Sequence, residues 1–244
     1  MIENQIDIPT RDGAMSTFLC HPERHGPHPI VIFFMDAPGI REELRDMARR
    51  LASVGYYVML PNLYYRSNVL ELGPFVGEAA AAVREKIMAL MGSLTIAMVM
   101  DDTDALIAFA STDKAASQGP MGCVGYCMSG RYALSAAVRH PDRVAAAASL
   151  YGTGLITEQP DSPHLAVRRT KAEFYIGCAE IDHYAPVETV APLREGPVNA
   201  EVELYAGVEH GFAFPQRAAY DKAAAERHWE RLFALFARRL TVTA

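Results

Sequence analysis

Gly125-Tyr126-Cys127-Met128-Ser129-Gly130 is the stretch on which the reading of this chain turns. It closes a short apolar run, Met121 to Tyr126, and opens a helix-forming segment, Arg131 to Arg139. A strand that turns abruptly into a helix, with small residues around one reactive side chain, has the layout of a nucleophile elbow. Such a turn holds the presented residue in a cramped backbone conformation, and the glycines beside it make room. Here that residue is Cys127, so the chemistry begins with sulfur and not with a serine oxygen. The helix that starts directly behind it offers unpaired N–H groups and a positive dipole end, which favour an anionic sulfur.

Outward from the elbow, apolar β-rich runs alternate with helix-like stretches from residue 30 onward. Strands are expected at Ile30–Met35, Tyr56–Leu60, Met121–Tyr126, Val144–Tyr151, Ala172–Gly177 and Ala200–Tyr205. Helices are expected at Glu42–Val54, Gly77–Met91, Ile96–Thr112, Arg131–His140, Pro186–Arg194 and Arg217–Leu240. The middle strands read as near-continuous hydrophobic runs, as strands of a parallel sheet do when helices cover both faces. Gln5–Ile8 and Ala14–Cys20, joined through Arg11-Asp12-Gly13, read as an antiparallel hairpin at the sheet edge. The alternation with short loops argues for an α/β fold, a mostly parallel central sheet flanked by helices on both faces. No Pro/Gly/Ser-rich linker divides the chain, so residues 1–244 read as a single domain. Asp101, Asp102 and Asp104 share a helix with Ala105, Leu106 and Phe109, the pattern of an exposed acidic face beside a buried one.

Composition narrows the function classes. Half of the 244 residues are hydrophobic and 21% are charged, ordinary for a soluble globular chain. A formal charge of -6 leaves no basic footprint for nucleic acid. No uninterrupted apolar stretch reaches the ~18 residues of a membrane span; Met88 to Met100 is broken by Gly92, Ser93 and Thr95. The segment Met1-Ile2-Glu3-Asn4-Gln5 lacks the basic start and apolar core of a secretory signal. Cysteines stand at 20, 123, 127 and 178 with no Cys-x-x-Cys pair, as expected of reduced thiols in a cytoplasmic protein. Cys20, Cys123 and Cys178 sit among apolar neighbours and read as small buried hydrophobes. His21, His25 and His28 lie in a Pro-containing segment whose spacing matches no zinc pattern, so a solvated loop is expected there. No metal or cofactor is called for.

A cysteine nucleophile needs a base within reach and a group that orients the base. In the α/β-hydrolase arrangement the chain order is nucleophile, acid, histidine. Downstream of Cys127, acids at a strand end are Glu180 and Asp182, in Gly177-Cys178-Ala179-Glu180-Ile181-Asp182-His183. A histidine at the next strand end is His210, in Gly207-Val208-Glu209-His210-Gly211-Phe212. Both segments follow expected strands, where the carboxyl ends of a parallel sheet gather active-site loops. The order closes as Cys127, Asp182, His210, with Glu180 as the rival acid and capping of the next helix as the alternative for Asp182.

These residues resemble the dienelactone hydrolase family of α/β-hydrolases. Gly-Tyr-Cys-x-x-Gly, Asp182-His183-Tyr184-Ala185-Pro186 and His210-Gly211-Phe212 stand in that family's order, and Pro61-Asn62-Leu63-Tyr64-Tyr65-Arg66 and Tyr220-Asp221 with Trp229 are similar to further segments of it. The likeness runs from roughly Pro29 to Leu240. It implies that Cys127 attacks the carbonyl carbon of an ester or lactone, that the N–H groups of Ala37 and Met128 hold the resulting oxyanion, and that His210, fixed by Asp182, activates water for deacylation. It also implies a role for Asp36, because the family carries a Glu in this loop that pairs with the nucleophile. In Met35-Asp36-Ala37-Pro38-Gly39 the carboxylate is kept but is one methylene shorter; it reaches the thiol, directly or through water, or it bonds to its own turn.

Two departures matter. Family members acting on dienelactone bind its carboxylate with arginines, one of them four positions after the histidine, and that position is Phe214 here. Arg66 and Arg84 remain as clamps, and uncharged lactones are expected to be preferred. Ser129 replaces the family's usual glycine, a change the turn is expected to tolerate. Tyr64, Tyr65, Tyr151 and Phe214 are placed either along an acyl pocket or in the core. The expectation is a cofactor-free hydrolase of a small lactone or ester, monomeric by default, with neither nucleic acid nor membrane as partner. Its rivals are a thioesterase or acyl-transfer enzyme with the same triad, a non-catalytic binder of a small ligand, and a redox-sensing thiol protein.

Overall fold

The computed structural model describes residues 1–73, 80–194 and 199–241. Its strands form one eight-stranded sheet. β1 (Ile2–Thr10) and β2 (Gly13–His21) are the antiparallel hairpin at one edge; β3 (Ile30–Phe34), β4 (Tyr57–Pro61), β5 (Met121–Tyr126), β6 (Val144–Leu150), β7 (Glu173–Ile181) and β8 (Ala200–Glu209) run parallel to one another. The order across the sheet is β1-β2-β4-β3-β5-β6-β7-β8, with β2 antiparallel to β4. Between them lie α1 (Glu42–Ser53), α2 (Ala80–Ser93), α3 (Ile96–Ala110), α4 (Gly130–Arg139), α5 (Pro163–Ala166), α6 (Val187–Val190) and α7 (Lys222–Arg239). This is the mostly parallel α/β sheet that the alternation of elements anticipated, and it agrees with the α/β-hydrolase fold that the family resemblance implies.

The sheet centre is dry. Every residue of β3, β4 and β5 is buried, which is why these strands read as unbroken apolar runs and not as alternating ones. Along α1, Leu44, Met47, Ala48 and Leu51 recur at helical spacing and face the sheet. Trp229, Leu232, Leu235 and Phe236 do the same for α7.

Several element ends differ from the expected ones, each for a local reason. β7 runs on to Ile181, four residues past the expected end at Gly177. A Cβ at Gly177 would sit 2.8 Å from Leu150 Cδ1, so this glycine is a packing residue inside the strand. α7 begins after Asp221, whose side chain accepts a hydrogen bond from the Ala224 N–H at 2.8 Å and caps the helix. The helix expected over Pro186–Arg194 is α6 followed by a separate 3-10 turn, Ala191–Arg194, in which Pro192 lacks an N–H to donate. The short helix α5 was not anticipated, and the expected start of α2 at Gly77 lies outside the described residues.

Two surface expectations are corrected. Asp102 is buried, because Arg66 pairs with it from the β4 side. His28 is buried too, its Nε2 3.1 Å from the carbonyl of Pro22, while His21 stacks on Tyr57. Among the described residues no helix is long and apolar enough to cross a membrane, and no group of three or more His, Cys, Asp or Glu side chains is placed to hold a metal ion.

Candidate active site

The elbow forms at the carboxyl end of β5. Tyr126 is extended, Cys127 has φ 55°, and a 3-10 turn over Cys127–Ser129 feeds α4. A non-glycine residue at positive φ costs on the order of 1–3 kcal/mol and persists only where its surroundings over-determine it. Here they do. A Cβ at Gly125 would meet the Ser129 carbonyl oxygen at 2.1 Å, and one at Gly130 would meet Ser149 Oγ at 2.2 Å. The N–H of Thr153 donates to the Cys127 carbonyl at 3.0 Å. Of the four cysteines only Cys127 is more than marginally exposed. Burial pushes the Cys20 thiol up to about 12 and raises Cys123 as well, so those two are inert.

The acid and the base come from the next two strand ends. Asp182 follows β7 and His210 follows β8, and their side chains meet with His210 Nδ1 2.8 Å from Asp182 Oδ2. The other oxygen, Asp182 Oδ1, accepts from the N–H groups of Tyr184 at 2.8 Å and Ala185 at 2.9 Å. Asp182 therefore caps the following turn and orients the imidazole at once. Burial alone would raise its pKa, but the hydrogen bonds from His210, Ala185 and Tyr184 outweigh burial and hold the carboxyl below its usual range. Glu180, the rival acid, is exposed and accepts from the N–H of Gly207 at 2.7 Å.

Burial opposes a charge on His210, yet the Asp182 hydrogen bond and the nearby Cys127 sulfur win and raise its pKa to about 9. Nε2 is sealed from solvent and has no partner in standard hydrogen-bond geometry. Sulfur and ring are thus close enough to act on each other without a formed hydrogen bond, as is common before substrate closes a site. Two tyrosine rings pack edge-on against the imidazole, Tyr151 and Tyr184, each with its centroid 4.9 Å away. Tyr151 is buried and itself has φ 38°; Tyr184 is 65% exposed and covers the outer face. Tyr184 was not among the expected site residues, although it is the aromatic of the Asp-His-aromatic-x-Pro stretch.

Ala37, on the turn after β3, and Met128, the residue after the nucleophile, lie at the same end of the sheet. Among the described residues neither of their N–H groups donates to a protein acceptor. Tyr64 is buried between them, its hydroxyl donating to the Ala37 carbonyl at 2.9 Å.

Other expected contacts are replaced by different ones. Asp36 is fully buried, and its carboxylate bonds neither Cys127 nor its own turn. Arg41 Nη1 donates to Oδ1 at 2.6 Å, and Arg217 Nη2 donates to Oδ2 at 2.8 Å. Arg41 is also paired with Glu43, whose other oxygen accepts from the N–H of Gln216 at 2.7 Å. These bonds tie the loop after β3 to the loop after His210. Phe214, expected either along an acyl pocket or in the core, is a core residue, with the Arg41 and Arg217 guanidinium groups over its ring at 5.0 and 5.3 Å. Arg66 grips Asp102 with two bonds of 2.8 Å and Asp12 with a third, so it fastens the edge hairpin to α3 instead of waiting for a ligand. Arg84 is exposed on α2. Tyr65 bonds Thr10 and Asp102, on the same fastening. Arg131, on the first turn of α4, donates to Tyr132 Oη at 3.0 Å and has no carboxylate partner among the described residues.

The model of the dienelactone hydrolase family matches residues 15–240. The chain belongs to the dienelactone hydrolase family. It is a lactone and ester hydrolase of the α/β-hydrolase fold. A Methylorubrum extorquens protein with the provisional name carboxymethylenebutenolidase is 27% identical, over 95% of this chain and 79% of its own. A Bradyrhizobium protein, provisionally named 2-oxo-3-(5-oxofuran-2-ylidene)propanoate lactonase, is 27% identical over 92% and 89%. A solved Klebsiella pneumoniae structure, provisionally named a dienelactone hydrolase, superposes with a TM-score of 0.82 at 26% identity, covering 97% of this chain and 98% of that one.

Proposed function

We propose that this family member cleaves a small lactone or carboxylic ester by covalent catalysis through Cys127, with His210 as base and acid and Asp182 as its orienting group. The observation that carries the reading is the 2.8 Å bond between Asp182 and His210, formed beside the one cysteine held on a strained elbow. The provisional names of the two relatives point to small lactones as the substrate class.

In the first half-reaction the Cys127 thiolate attacks the carbonyl carbon. A C–S bond forms and the carbonyl π pair moves to oxygen, where the N–H groups of Ala37 and Met128 stabilise it. The oxyanion collapses, the C–O bond breaks, and the departing alkoxide takes a proton from His210. For a lactone that alkoxide is the far end of the opened ring. Once the sulfur carries an acyl group, its contribution to the raised His210 pKa is gone, and the imidazole becomes a better base near neutral pH. It then takes a proton from water, whose oxygen attacks the thioester; collapse of the second oxyanion releases the acid and returns the proton to the thiolate–imidazole pair.

Phe214, buried where other members carry an arginine, cannot pair with a substrate carboxylate, and uncharged lactones are the preferred class in this reading. The protein acts as a single-domain, cytoplasmic monomer without cofactor in this reading.

The test is a panel of lactones and p-nitrophenyl esters assayed with wild type and Cys127→Ala, together with intact mass spectrometry of the quenched wild-type reaction. An acyl adduct on Cys127 and loss of at least ~10³ in kcat in the variant are expected. Fast transfer to added thiols or amines in preference to water identifies the acyl-transfer alternative. Ligand-induced thermal stabilisation without product identifies a binder, and reversible Cys127 oxidation without an acyl adduct identifies a redox sensor.

A further inference from the structure

The two N–H groups assigned to the oxyanion come from different loops. Ala37 follows β3 and Met128 follows β5. These strands pair in parallel as far as Phe34 and Gly125, and the ladder stops there. Beyond that point no sheet hydrogen bond holds one loop against the other. Oxyanion stabilisation depends on donors being set within a few tenths of an ångström before the charge develops. Something must fix the gap between the loops.

Two buried side chains span it. Ser129 Oγ, from the elbow, donates to the carbonyl of Met35, one residue past β3. Tyr64 Oη donates to the carbonyl of Ala37 and lies 3.3 Å from Met128 Sδ, so one hydroxyl touches both residues that carry the donors. Both side chains are almost wholly buried, Ser129 at 0% and Tyr64 at 1% exposure. Tyr64 is held in turn: its N–H donates to Asn62 Oδ1 at 3.0 Å, and Asn62 Nδ2 donates to the Val69 carbonyl at 2.9 Å. Burial raises the Tyr64 pKa, so the phenol stays a donor throughout the assay range. At position 129 a glycine would keep the turn but make no bond.

We propose that Tyr64 and Ser129 are positioning residues that staple the Ala37 loop to the elbow and so set the geometry of the oxyanion site. The staple rests on the cysteine-hydrolase reading above. It acts on the step in which a carbonyl oxygen gains charge and not on the nucleophilicity of Cys127.

That distinction supplies the test. Iodoacetamide alkylates a thiolate by displacing iodide from a saturated carbon, so no oxyanion forms. Tyr64→Phe, Ser129→Ala and Ser129→Gly are compared with wild type for kcat and KM on a p-nitrophenyl ester, for the rate of Cys127 alkylation, and for melting temperature. Each is expected to lower kcat about 10-fold, comparable to a weakened oxyanion donor. KM and the alkylation rate stay within about 2-fold. Tyr64→Phe with Ser129→Gly falls short of the product of the single losses, because both hold one gap. Ser129→Gly adds no volume and guards against a variant that merely fails to fold. Unchanged kcat in Tyr64→Phe and Ser129→Gly overturns the staple alone, and so does an alkylation rate that falls in parallel with kcat. Full turnover by Cys127→Ala overturns the hydrolase reading beneath it, and the staple with it.

Discussion

His210 and His228 are both shielded from water, and they titrate in opposite directions. His210 is raised to about 9, while His228 on α7 is lowered to about 3. Burial pushes both downward. No carboxylate bonds His228: Tyr126 Oη is 3.0 Å from its Nε2, the Trp229 ring packs 4.8 Å away, and Arg50 adds to the lowering, which the Ala225 carbonyl and the Glu226 charge offset only in part. His210 has the Asp182 carboxylate on one side and the Cys127 sulfur nearby. A carboxylate within hydrogen-bond reach thus converts a buried, permanently neutral ring into one that carries a proton at neutral pH. Tyr126, which bonds His228, immediately precedes Cys127 in the chain.

The sharpest way to break this contrast is Asp182→Asn. It keeps the shape and removes the charge, so His210 should move down from about 9 towards the behaviour of His228. We expect kcat for ester hydrolysis to fall by about 10²–10⁴, with the ring ionisation followed by NMR. An unchanged His210 titration would show that the carboxylate is not its cause.

Arg66→Ala separates the catalytic end from the rest of the molecule. It leaves the buried Asp102 carboxylate without a counter-charge, with only the Tyr65 hydroxyl bonded to it, and a loss of roughly 2–4 kcal/mol in unfolding free energy is expected. kcat/KM should remain within about 2-fold of wild type. Denaturant titration and a kinetic assay check the pair; a large rise in KM would restore Arg66 as a substrate clamp.

The pH dependence of stability tests both rings. His228 has a folded pKa of about 3, below the unfolded value near 6.5, so its contribution is complete above 6.5 and is lost as pH falls towards 3. The slope is about 1.4 kcal/mol per pH unit, or roughly 2 kcal/mol between pH 6.5 and 5. His210 has a raised folded pKa, so its contribution is complete below 6.5 and is lost as pH rises through about 9. Urea unfolding from pH 5 to 9 should show His228→Phe flattening the acid limb alone and His210→Gln the alkaline limb alone.

The smallest effect is expected from Tyr184→Ala. This ring covers the solvent face of His210 through a single edge-on contact, with its centroid 4.9 Å away. Its removal should lower kcat roughly 2–10-fold. A null result would leave Tyr151 and Asp182 as sufficient support.

Much of the fold was legible because its signals are local. The elbow is a short strand-turn-helix segment in which Gly125 and Gly130 leave no room for larger residues, and the buried strands announce themselves by unbroken apolar runs. Asp182 and His210 were legible as strand-end residues in a fixed order. Arg66 was misplaced and Phe214 left undecided for a shared reason. A charged or aromatic residue near a motif looks available for substrate until its partner is seen, and Asp102 beside Arg66 and the Arg41 guanidinium over Phe214 come from distant parts of the chain. Asp36 shows the same blindness, since one of its two arginines, Arg217, stands far along the chain.

By itself the sequence determined the order of strands and helices, the presence of a cysteine on a forced turn, and an acid and a histidine at later strand ends. These follow from periodicity, backbone sterics and the rule that loops at one edge of a parallel sheet converge. Only the tertiary structure decided which charges are spent on one another: Asp36 with Arg41 and Arg217, Asp102 with Arg66, Asp182 with His210. A charge taken out of water must find a counter-charge or donor within a few ångströms, and which one it finds depends on distances in space that chain position does not encode.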